Sequence, residues 1–396
     1  MPQTKNPPDP RIPIPSLPFT ISRSGSYYLR SDLTGIAGSH GITIAADQVT
    51  IDLNGFTLHG VPGSLDGIHV NGARRSLEVR NGCVQGFGGS GVDTFTATTT
   101  TFDGLRAHGN GAAGLRGGAS HKIQRCMAEA NALVGISGIE STLIEDCVAL
   151  ANGQTGIRAF PACSIIHCTS QNNELDGIDA LGVLIGCTAK QNGRYGISTG
   201  GDTVVSDCSS TANQIGVFVG SSGPTIRNTN ADANLGAGIY VGGGAATIAN
   251  CYMQGNSGNG IYCNSASTIS GCTALGNFAN GIEAYNSLIS QCAASGNTLD
   301  GIRGGGGKWT GNEVSGNFQA GLHVTSLARA RLDGNNVTGN PRGIDVDSAG
   351  NMVFGNTVSA NTTNFDIVAG NAVGQVVNVT GNGSFSSTNA FANLQY

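Results

Sequence analysis

The chain has 396 residues, of which 63 are glycine, while charged residues make up 11% and aromatic residues 6%. No apolar run approaches the roughly 18 residues of a membrane span, and the glycines lack the three-residue period of collagen. The net charge of -5 argues against nucleic acid as a partner, because nucleic-acid binding requires concentrated basic residues.

The first 40 residues differ from the rest of the chain. They begin with a proline-rich stretch and continue into alternating strand patterns over Leu17 to Leu33. The stretch has no apolar region of the kind found in secretion signals. We predict a loose lead over residues 1–16 and then a cap, which covers the strand edge that stacked coils would otherwise expose.

From residue 41 onward the sequence repeats every 19 to 23 residues. Each repeat opens with a glycine followed by an apolar residue. Further along comes one position, here called the slot, that is usually cysteine or asparagine. Another apolar residue stands three positions before the slot. An asparagine usually stands five positions after the slot. The slot is occupied by Cys126, Cys147, Cys168, Cys187, Cys208, Thr229, Cys251, Cys272, Cys292, Asn312, Asn335 and Asn356. The asparagine column contains Asn131, Asn152, Asn173, Asn192, Asn213, Asn234, Asn256, Asn277, Asn297, Asn317, Asn340 and Asn361.

This repeat predicts an all-β solenoid. The glycines and β-branched residues lack the 3.6-residue period and the helix formers of helical repeats. A unit of about 21 residues holds two or three short strands, and successive units pair in parallel at about 4.8 Å. Like residues then form ladders along the stack. The side-chain amides of the asparagines hydrogen-bond from coil to coil, and the asparagine residues adopt left-handed backbone angles at the bends. We predict one domain, with coils over residues 41–366 and a C-terminal cap over 367–396.

The eleven cysteines are predicted to be free thiols. Cysteines on adjacent coils have Cβ atoms about 4.8 Å apart, which is longer than a disulfide prefers. No Cys-x2-Cys pair occurs, and parallel thiolates cannot surround a zinc ion. Cys83 and Cys163 lie off the ladder and are not assigned a place. We expect no metal and no cofactor; calcium is left open without a motif that indicates it.

The glycine, cysteine and asparagine columns resemble the right-handed parallel β-helix of the pectate-lyase-like superfamily. More narrowly, they resemble secreted bacterial β-helix-repeat proteins akin to a periplasmic carbohydrate-binding and sugar-hydrolysis family. The resemblance covers roughly Gly41 to Asp366. It implies the fold; for function it leaves lyases, hydrolases, epimerases, adhesins and inert scaffolds open, because this superfamily contains them all.

The residue after each glycine–apolar pair is predicted to face outward, and we call this series the outward column. It contains Arg116, Ser137, Arg158, Asp179, Ser198, Phe218, Tyr240, Tyr262, Glu283, Arg303, His323 and Asp345. Three aromatic residues, Phe218, Tyr240 and Tyr262, occupy successive coils. Aromatic faces stack on sugar rings, so they predict a polysaccharide-binding track; alternatively, stacked like residues only stabilise the sheet.

Two sets of charged residues are catalytic candidates. The first contains Glu283, Asp300, Arg303, His323 and Lys308. Chemistry on a uronic acid needs a cation for the carboxylate, here Arg303 or Lys308, and a base for the C5 proton, here His323 or Arg303. A rival set contains Arg158, Asp176, Asp179, Arg194 and Tyr195, and substrate binding is also assigned to Arg158, Asp176, Asp179 and Tyr195. Its two carboxylates suggest a hydrolase pair.

Two functions therefore compete. The first is a secreted bacterial protein that binds polysaccharide and processes it as a lyase or epimerase, with an extracellular or cell-surface location. The second is a structural or adhesive rod without catalysis, which the short bends favour because enzymes of the superfamily carry long loops around a cleft. The sequence indicates neither an oligomeric state nor whether the protein is an enzyme.

Overall fold

The structure is a computed structural model that describes residues 10–221, 223–379, 387 and 389–396. Within these residues all regular elements are β-strands. The described residues contain no helix that could cross a membrane. Residues 1–9 of the predicted lead, and 380–386 and 388 of the predicted C-terminal cap, lie outside the described residues. The single domain and its boundaries at residues 40 and 366 stay predictions. The chain divides into two compact units, Met1–Val183 and Leu184–Tyr396.

The strands are short and follow one another through tight bends. The first unit contains β1 (Ile12–Pro13), β2 (Phe19–Ile21), β3 (Gly25–Tyr28), β4 (Leu33–Thr34), β5 (Ile42–Ile44), β6 (Val49–Asp52), β7 (Thr57–His59), β8 (Ile68–Val70), β9 (Arg75–Gln85), β10 (Val92–Asp93), β11 (Thr98–His108), β12 (Leu115–Arg116), β13 (Lys122–Gln124), β14 (Met127–Glu129), β15 (Ile136–Ile139), β16 (Leu143–Glu145), β17 (Val148–Leu150), β18 (Ile157–Ile166) and β19 (Thr169–Gln171). The division falls inside β20 (Ile178–Ile185).

The second unit is also built of coils with three short strands each. It contains β21 (Thr188–Lys190), β22 (Tyr195–Thr199), β23 (Val204–Ser206), β24 (Ser209–Thr211), β25 (Ile215–Val219), β26 (Thr225–Arg227), β27 (Asn230–Asp232), β28 (Ile239–Val241), β29 (Thr247–Ala249), β30 (Tyr252–Gln254), β31 (Ile261–Cys263), β32 (Thr268–Ser270), β33 (Thr273–Leu275), β34 (Ile282–Tyr285), β35 (Leu288–Ser290), β36 (Ala293–Ser295), β37 (Ile302–Gly305), β38 (Lys308–Thr310), β39 (Glu313–Ser315), β40 (Ala320–Val324), β41 (Arg331–Asp333), β42 (Asn336–Thr338), β43 (Arg342–Val346), β44 (Met352–Phe354), β45 (Thr357–Ser359), β46 (Thr363–Ile367), β47 (Ala372–Val373), β48 (Val376–Asn378) and β49 (Asn393–Gln395).

Equivalent strands pair in parallel from coil to coil, so each predicted column is a physical stack. In the first unit, Ile123 pairs in register with Ile144, which pairs with Ile165, and all three side chains are buried. The second unit has an equivalent apolar column, which is fully buried and contains Ile226, Ile248, Ile269, Ile289, Trp309, Leu332 and Val353. The predicted parallel solenoid with coils of about 21 residues is thereby confirmed.

The asparagine ladder is also confirmed, and each amide links two coils. Asn297 Nδ2 donates to Asn317 Oδ1 at 2.9 Å, and Asn277 Nδ2 donates to Asn297 Oδ1 at 3.0 Å. The backbone N–H of Asn277 also donates to Asn297 Oδ1 at 3.0 Å. These bonds satisfy backbone groups that the bend would otherwise leave buried without a partner.

The expectation that these asparagines adopt left-handed backbone angles is wrong. The positive φ falls on the residue just before the ladder asparagine, as at Ala130 (53°), Ala151 (52°) and Ala212 (56°). Glycine takes the same place in other coils, for example Gly276 with a φ of 58°. The bend needs one left-handed residue, and because the asparagine is not that residue, its side chain can point inward and join the ladder.

All eleven cysteines are free thiols, as the sequence predicted. Ten are buried, and Cys83 on β9 is half-buried. Burial raises the pKa of the Cys263 thiol to about 12 and also raises the pKa of Cys163.

We therefore expect a thiol reagent to modify one cysteine per native chain, Cys83, and all eleven after unfolding without reductant. Titration with a chromogenic disulfide reagent, in buffer and in denaturant, measures both numbers. A Cys83→Ser variant should have no fast-reacting thiol in the native state. Fewer than eleven thiols in denaturant would reveal a disulfide and contradict this arrangement.

Candidate functional site

The outward column of the second unit is a continuous line of paired positions. Successive members face each other in register along Ser198, Phe218, Tyr240, Tyr262, Glu283, Arg303, His323 and Asp345. Each step is one coil, about 4.8 Å. Aromatic side chains are thereby followed directly by charged ones on the same face of the unit.

Four aromatic rings stack along this line, and we call Tyr195, Phe218, Tyr240 and Tyr262 the aromatic row. Their ring centroids are 4.3, 5.7 and 4.9 Å apart in that order, and the planes are within 10–15° of parallel. Tyr195 is not an outward-column residue: it precedes the glycine of its coil, yet its ring covers Phe218. The guanidinium of Arg194 lies 4.9 Å from the Tyr195 ring centroid.

The stacking changes what the row can offer a ligand. Both faces of Phe218 and of Tyr240 are covered by neighbouring rings, so the predicted stacking of sugars on these faces is not available there. All four side chains of the row are partly exposed. A ligand can therefore contact the row through hydrogen bonds to hydroxyls and through ring edges.

A groove of about 610 Å³ runs beside the row, and we call it the tyrosine groove. Its lining combines aromatic, apolar and amide side chains with backbone glycine. The lining residues are Tyr195, Gln214, Ile215, Leu235, Gly236, Ala237, Tyr240, Gly258, Asn259 and Tyr262. Gly236, Ala237 and Gly258 add little side-chain volume to this lining, and the groove is open to solvent.

Beyond the row lies a charged cluster centred on Asp300, which is fully buried at the bend before β37. Its Oδ2 accepts a hydrogen bond from Arg303 Nη1 at 3.1 Å and lies 2.7 Å from His323 Nδ1. Its Oδ1 accepts a hydrogen bond from the backbone N–H of Ala320 at 2.9 Å. Burial opposes ionisation, but the hydrogen bonds and the charge of His323 hold the pKa of Asp300 below its usual value.

His323 lies between carboxylates on both sides of its ring. Its Nε2 is 3.1 Å from Asp347 Oδ2 and 3.5 Å from Asp345 Oδ2, while Nδ1 contacts Asp300. Burial disfavours the imidazolium, but the bonds to Asp300 and Asp347 raise the pKa of His323 above its usual value. The side chain is 8% exposed, so neither nitrogen is presented to a substrate as a base.

Glu283 is fixed by three neighbours. Its Oε2 accepts hydrogen bonds from the side-chain amides of Asn259 and Asn280, each at 3.0 Å. Its Oε1 accepts one from the Tyr285 hydroxyl at 3.1 Å. Burial and the carboxylate beside it raise the pKa of Tyr285. Because Asn259 also lines the tyrosine groove, Glu283 connects the groove to the charged cluster.

The five catalytic candidates are thus only partly assembled. Asp300, Arg303 and His323 are in direct contact, and Glu283 pairs with Arg303 on adjacent strands. Lys308 begins β38, which pairs with β35 and β41 in another stack of strands, and within the described residues it joins none of the cluster's hydrogen bonds or ion pairs. Arg303, at 32% exposure, and the half-buried Glu283 are the members that a ligand can reach.

The rival set divides between the two units. In the first unit, Arg158 Nε lies 3.6 Å from Asp179 Oδ2, and Arg158 Nη2 donates to Thr155 Oγ1 at 3.2 Å. Asp176 is fully buried, so it is not a surface contact for substrate. Tyr195 belongs to the second unit, where it opens the aromatic row.

Three features of the structure were not predicted from the sequence. The first unit has a groove of about 380 Å³, here called the phenylalanine groove, whose lining includes Phe95, Arg116, Leu133, Arg158 and Phe160. Asp347 approaches His323, a contact that the Asp-Val-Asp spacing on a strand could have indicated, since alternate residues share a face. His40, Asp66 and His69 form a second cluster in the first unit.

Comparison with known proteins agrees with this architecture. The family described as right handed beta helix region matches residues 40–182, 163–299 and 217–363. No curated protein matches the sequence significantly. Among solved structures, the A-module of the Azotobacter vinelandii mannuronan C-5 epimerase AlgE6 is 12% identical, with 94% of this chain and 82% of that chain covered and a TM-score of 0.31.

Two further solved structures are similarly distant. The catalytic domain of a GH87 alpha-1,3-glucanase is 13% identical, covering 86% of this chain and 62% of that chain, with a TM-score of 0.35. The periplasmic alginate epimerase AlgG is 12% identical, covering 78% and 77%, with a TM-score of 0.31. Likenesses this distant carry no argument about activity or substrate.

Proposed function

Because the chain belongs to the right-handed β-helix family, whose interior is filled by its own side chains, we propose that its function lies on the outer face and is polysaccharide binding in the tyrosine groove. The observation that carries this proposal is the groove itself, whose lining includes three tyrosines and two amide side chains. Carbohydrate sites combine such aromatic surface with amide and hydroxyl hydrogen-bonding groups.

The length of the site suits a chain ligand. From the coil of Tyr195 to that of Arg303 there are five steps, or roughly 24 Å. Along this line a ligand meets tyrosine hydroxyls and ring edges first, then Asn259 and Glu283, and finally the partly exposed Arg303. A single sugar would use a small part of this surface, whereas an extended polysaccharide would use all of it.

The geometry favours binding over chemistry. Lyase or epimerase action needs a base that reaches the substrate, and His323 has both nitrogens against carboxylates while Asp300 is buried. Processing by the set Glu283, Asp300, Arg303, His323 and Lys308 therefore stays a prediction. Incubation with alginate and pectin, monitored for unsaturated products that absorb in the ultraviolet, tests it directly.

We expect the double substitution Tyr240→Ala and Tyr262→Ala to weaken polysaccharide binding roughly tenfold, or by about 1.4 kcal/mol, since both side chains line the groove. Affinity electrophoresis in gels containing alginate, pectin, glycosaminoglycan or neutral glucan measures the retardation. Tyr252→Ala is the matched control: this half-buried tyrosine lies on β30, in another stack of strands. No retardation of the wild type by any of these polymers would end the proposal.

The competing function, an adhesive or self-associating rod, is favoured by a separate observation. Three large apolar side chains just after ladder asparagines are strongly exposed: Leu235 at 75%, Phe278 at 66% and Phe318 at 70%. Sedimentation over a range of concentrations distinguishes this alternative, because a self-associating rod forms larger species as concentration rises. Both functions imply a secreted or cell-surface protein, which fractionation of the producing bacterium would test.

A further inference from the structure

The surroundings of His323 contain a feature that polysaccharide binding does not explain. On one side, Nδ1 is 2.7 Å from the buried carboxylate of Asp300. On the other side, Nε2 faces two carboxylate oxygens, Asp347 Oδ2 at 3.1 Å and Asp345 Oδ2 at 3.5 Å. One imidazole therefore meets three carboxylates.

One imidazole N–H cannot bond both of the carboxylates that face Nε2. A single proton on Nε2 can point along only one line, and Asp347 takes it. Asp345 is 1% exposed, and its Oδ2 forms an ion pair with the Arg342 guanidinium at 2.7 Å while also facing His323 Nε2 at 3.5 Å. Imidazole nitrogen and carboxylate oxygen are both ligands that zinc takes in proteins.

We propose that His323 Nε2, Asp345 and Asp347 bind one divalent transition-metal ion, of which zinc is the representative. Their ligand atoms lie within 4.8 Å of one another. Tetrahedral zinc with bonds of 2.0–2.2 Å places its ligand atoms roughly 3.3–3.6 Å apart. The oxygens of Asp347 and Asp345 lie at similar distances, 3.1 and 3.5 Å, from His323 Nε2. Asp347, 54% exposed, lies at the surface, where an ion and a solvent ligand can enter.

The groups that contact the other side of the His323 ring also fit a metal site. Metal-bound histidine usually donates its other ring N–H to a carboxylate, which fixes the tautomer that leaves the ligating nitrogen free. Asp300 takes this position at Nδ1, and Arg303 and the Ala320 N–H hold Asp300 in turn. The mixed nitrogen and oxygen ligands favour zinc-type ions over calcium or magnesium, which prefer oxygen alone.

The other cluster, His40, Asp66 and His69, does not fit as well. Its two imidazole rings are stacked 4.0 Å apart and only 11° from parallel. An imidazole binds a metal along a lone pair in its ring plane, so one ion cannot lie in two parallel planes at once. His69→Gln, which removes a ligand from this second cluster, therefore serves as the control.

The full chain is titrated with zinc in a calorimeter and with cobalt in a spectrophotometer. We expect one equivalent to bind the wild type and His69→Gln alike, and Asp347→Asn to bind at least tenfold more weakly. Asp300→Asn should weaken binding by roughly 10–100-fold through loss of orientation. Both variants should fold. Asp347 is exposed, and asparagine already stands at the position equivalent to Asp300 in the two preceding coils, as Asn259 and Asn280.

Cobalt distinguishes the ligand atoms. Binding by imidazole and carboxylates gives weak visible bands without the thiolate charge-transfer band that cysteine ligands produce. No binding, a thiolate band, or zinc affinity that falls in His69→Gln but not in Asp347→Asn would overturn the proposal. In the first case, His323 serves only as a protonated partner of the three carboxylates.

Discussion

Gly281→Ala should destabilise the second unit by about 3 kcal/mol. A Cβ at Gly281 would lie 2.6 Å from the carbonyl oxygen of Gly301, 2.7 Å from Asn297 Nδ2 and 3.2 Å from Ala294 Cβ. Two of these neighbours belong to the inter-coil hydrogen bonds, so they cannot move without breaking the ladder. The glycine that opens each repeat is thus required for space, since its φ is not in the left-handed region.

Gly276→Ala is the matched control, five residues away. Gly276 has a φ of 58°, but nothing lies within 4 Å of its Cβ position. Alanine occupies the equivalent left-handed place in other coils, as at Ala130 and Ala212. We expect a cost of about 1 kcal/mol. Denaturant unfolding followed by the fluorescence of Trp309, the only tryptophan, measures both shifts. Equal midpoints for the two variants would contradict the steric explanation.

Asn297→Ala should cost about 3–5 kcal/mol, because it removes the acceptor shared by the backbone N–H and the Nδ2 of Asn277. It also removes the Nδ2 that bonds Ala274 O at 3.1 Å. Asn297 is fully buried, so no water replaces these partners. The loss falls on three successive coils, because the same Nδ2 also donates to Asn317 Oδ1 at 2.9 Å.

Asn336→Ala provides the comparison for the ladder. Asn336 lies on β42 with its side chain outward, where Nδ2 bonds the exposed Glu313 at 2.8 Å. We expect a change within about 0.5 kcal/mol. Amide hydrogen exchange should show loss of protection near Asn277 in Asn297→Ala and none in Asn336→Ala. If both asparagines prove equally dispensable, the ladder is not a source of stability.

The columns were predictable because a solenoid converts sequence period into spatial register. Once Ile248, Ile269 and Ile289 recur at one repeat position, parallel pairing must place them over one another. The same reasoning aligned Tyr240, Tyr262, Glu283 and Arg303 on one face. Period fixes which residues are neighbours along the stack.

Period does not fix where a side chain points once it leaves the strand. Tyr195 occupies a bend position, yet its ring reaches the outward column and covers Phe218. His323 turns between coils to meet Asp300 and Asp347, so a residue predicted as a base is enclosed by acids. Such rotamers depend on neighbours in three coils at once, which a single repeat position does not encode.

The central claim is that polysaccharide lies in the tyrosine groove. Hydroxyl-radical footprinting of the full chain, with and without a retained polysaccharide, tests it most directly because tyrosine side chains react readily. We predict protection of Tyr195, Tyr240 and Tyr262 and unchanged labelling of Tyr252. Protection of Phe95 and Phe160 in the phenylalanine groove, with the three tyrosines unchanged, would contradict the claim.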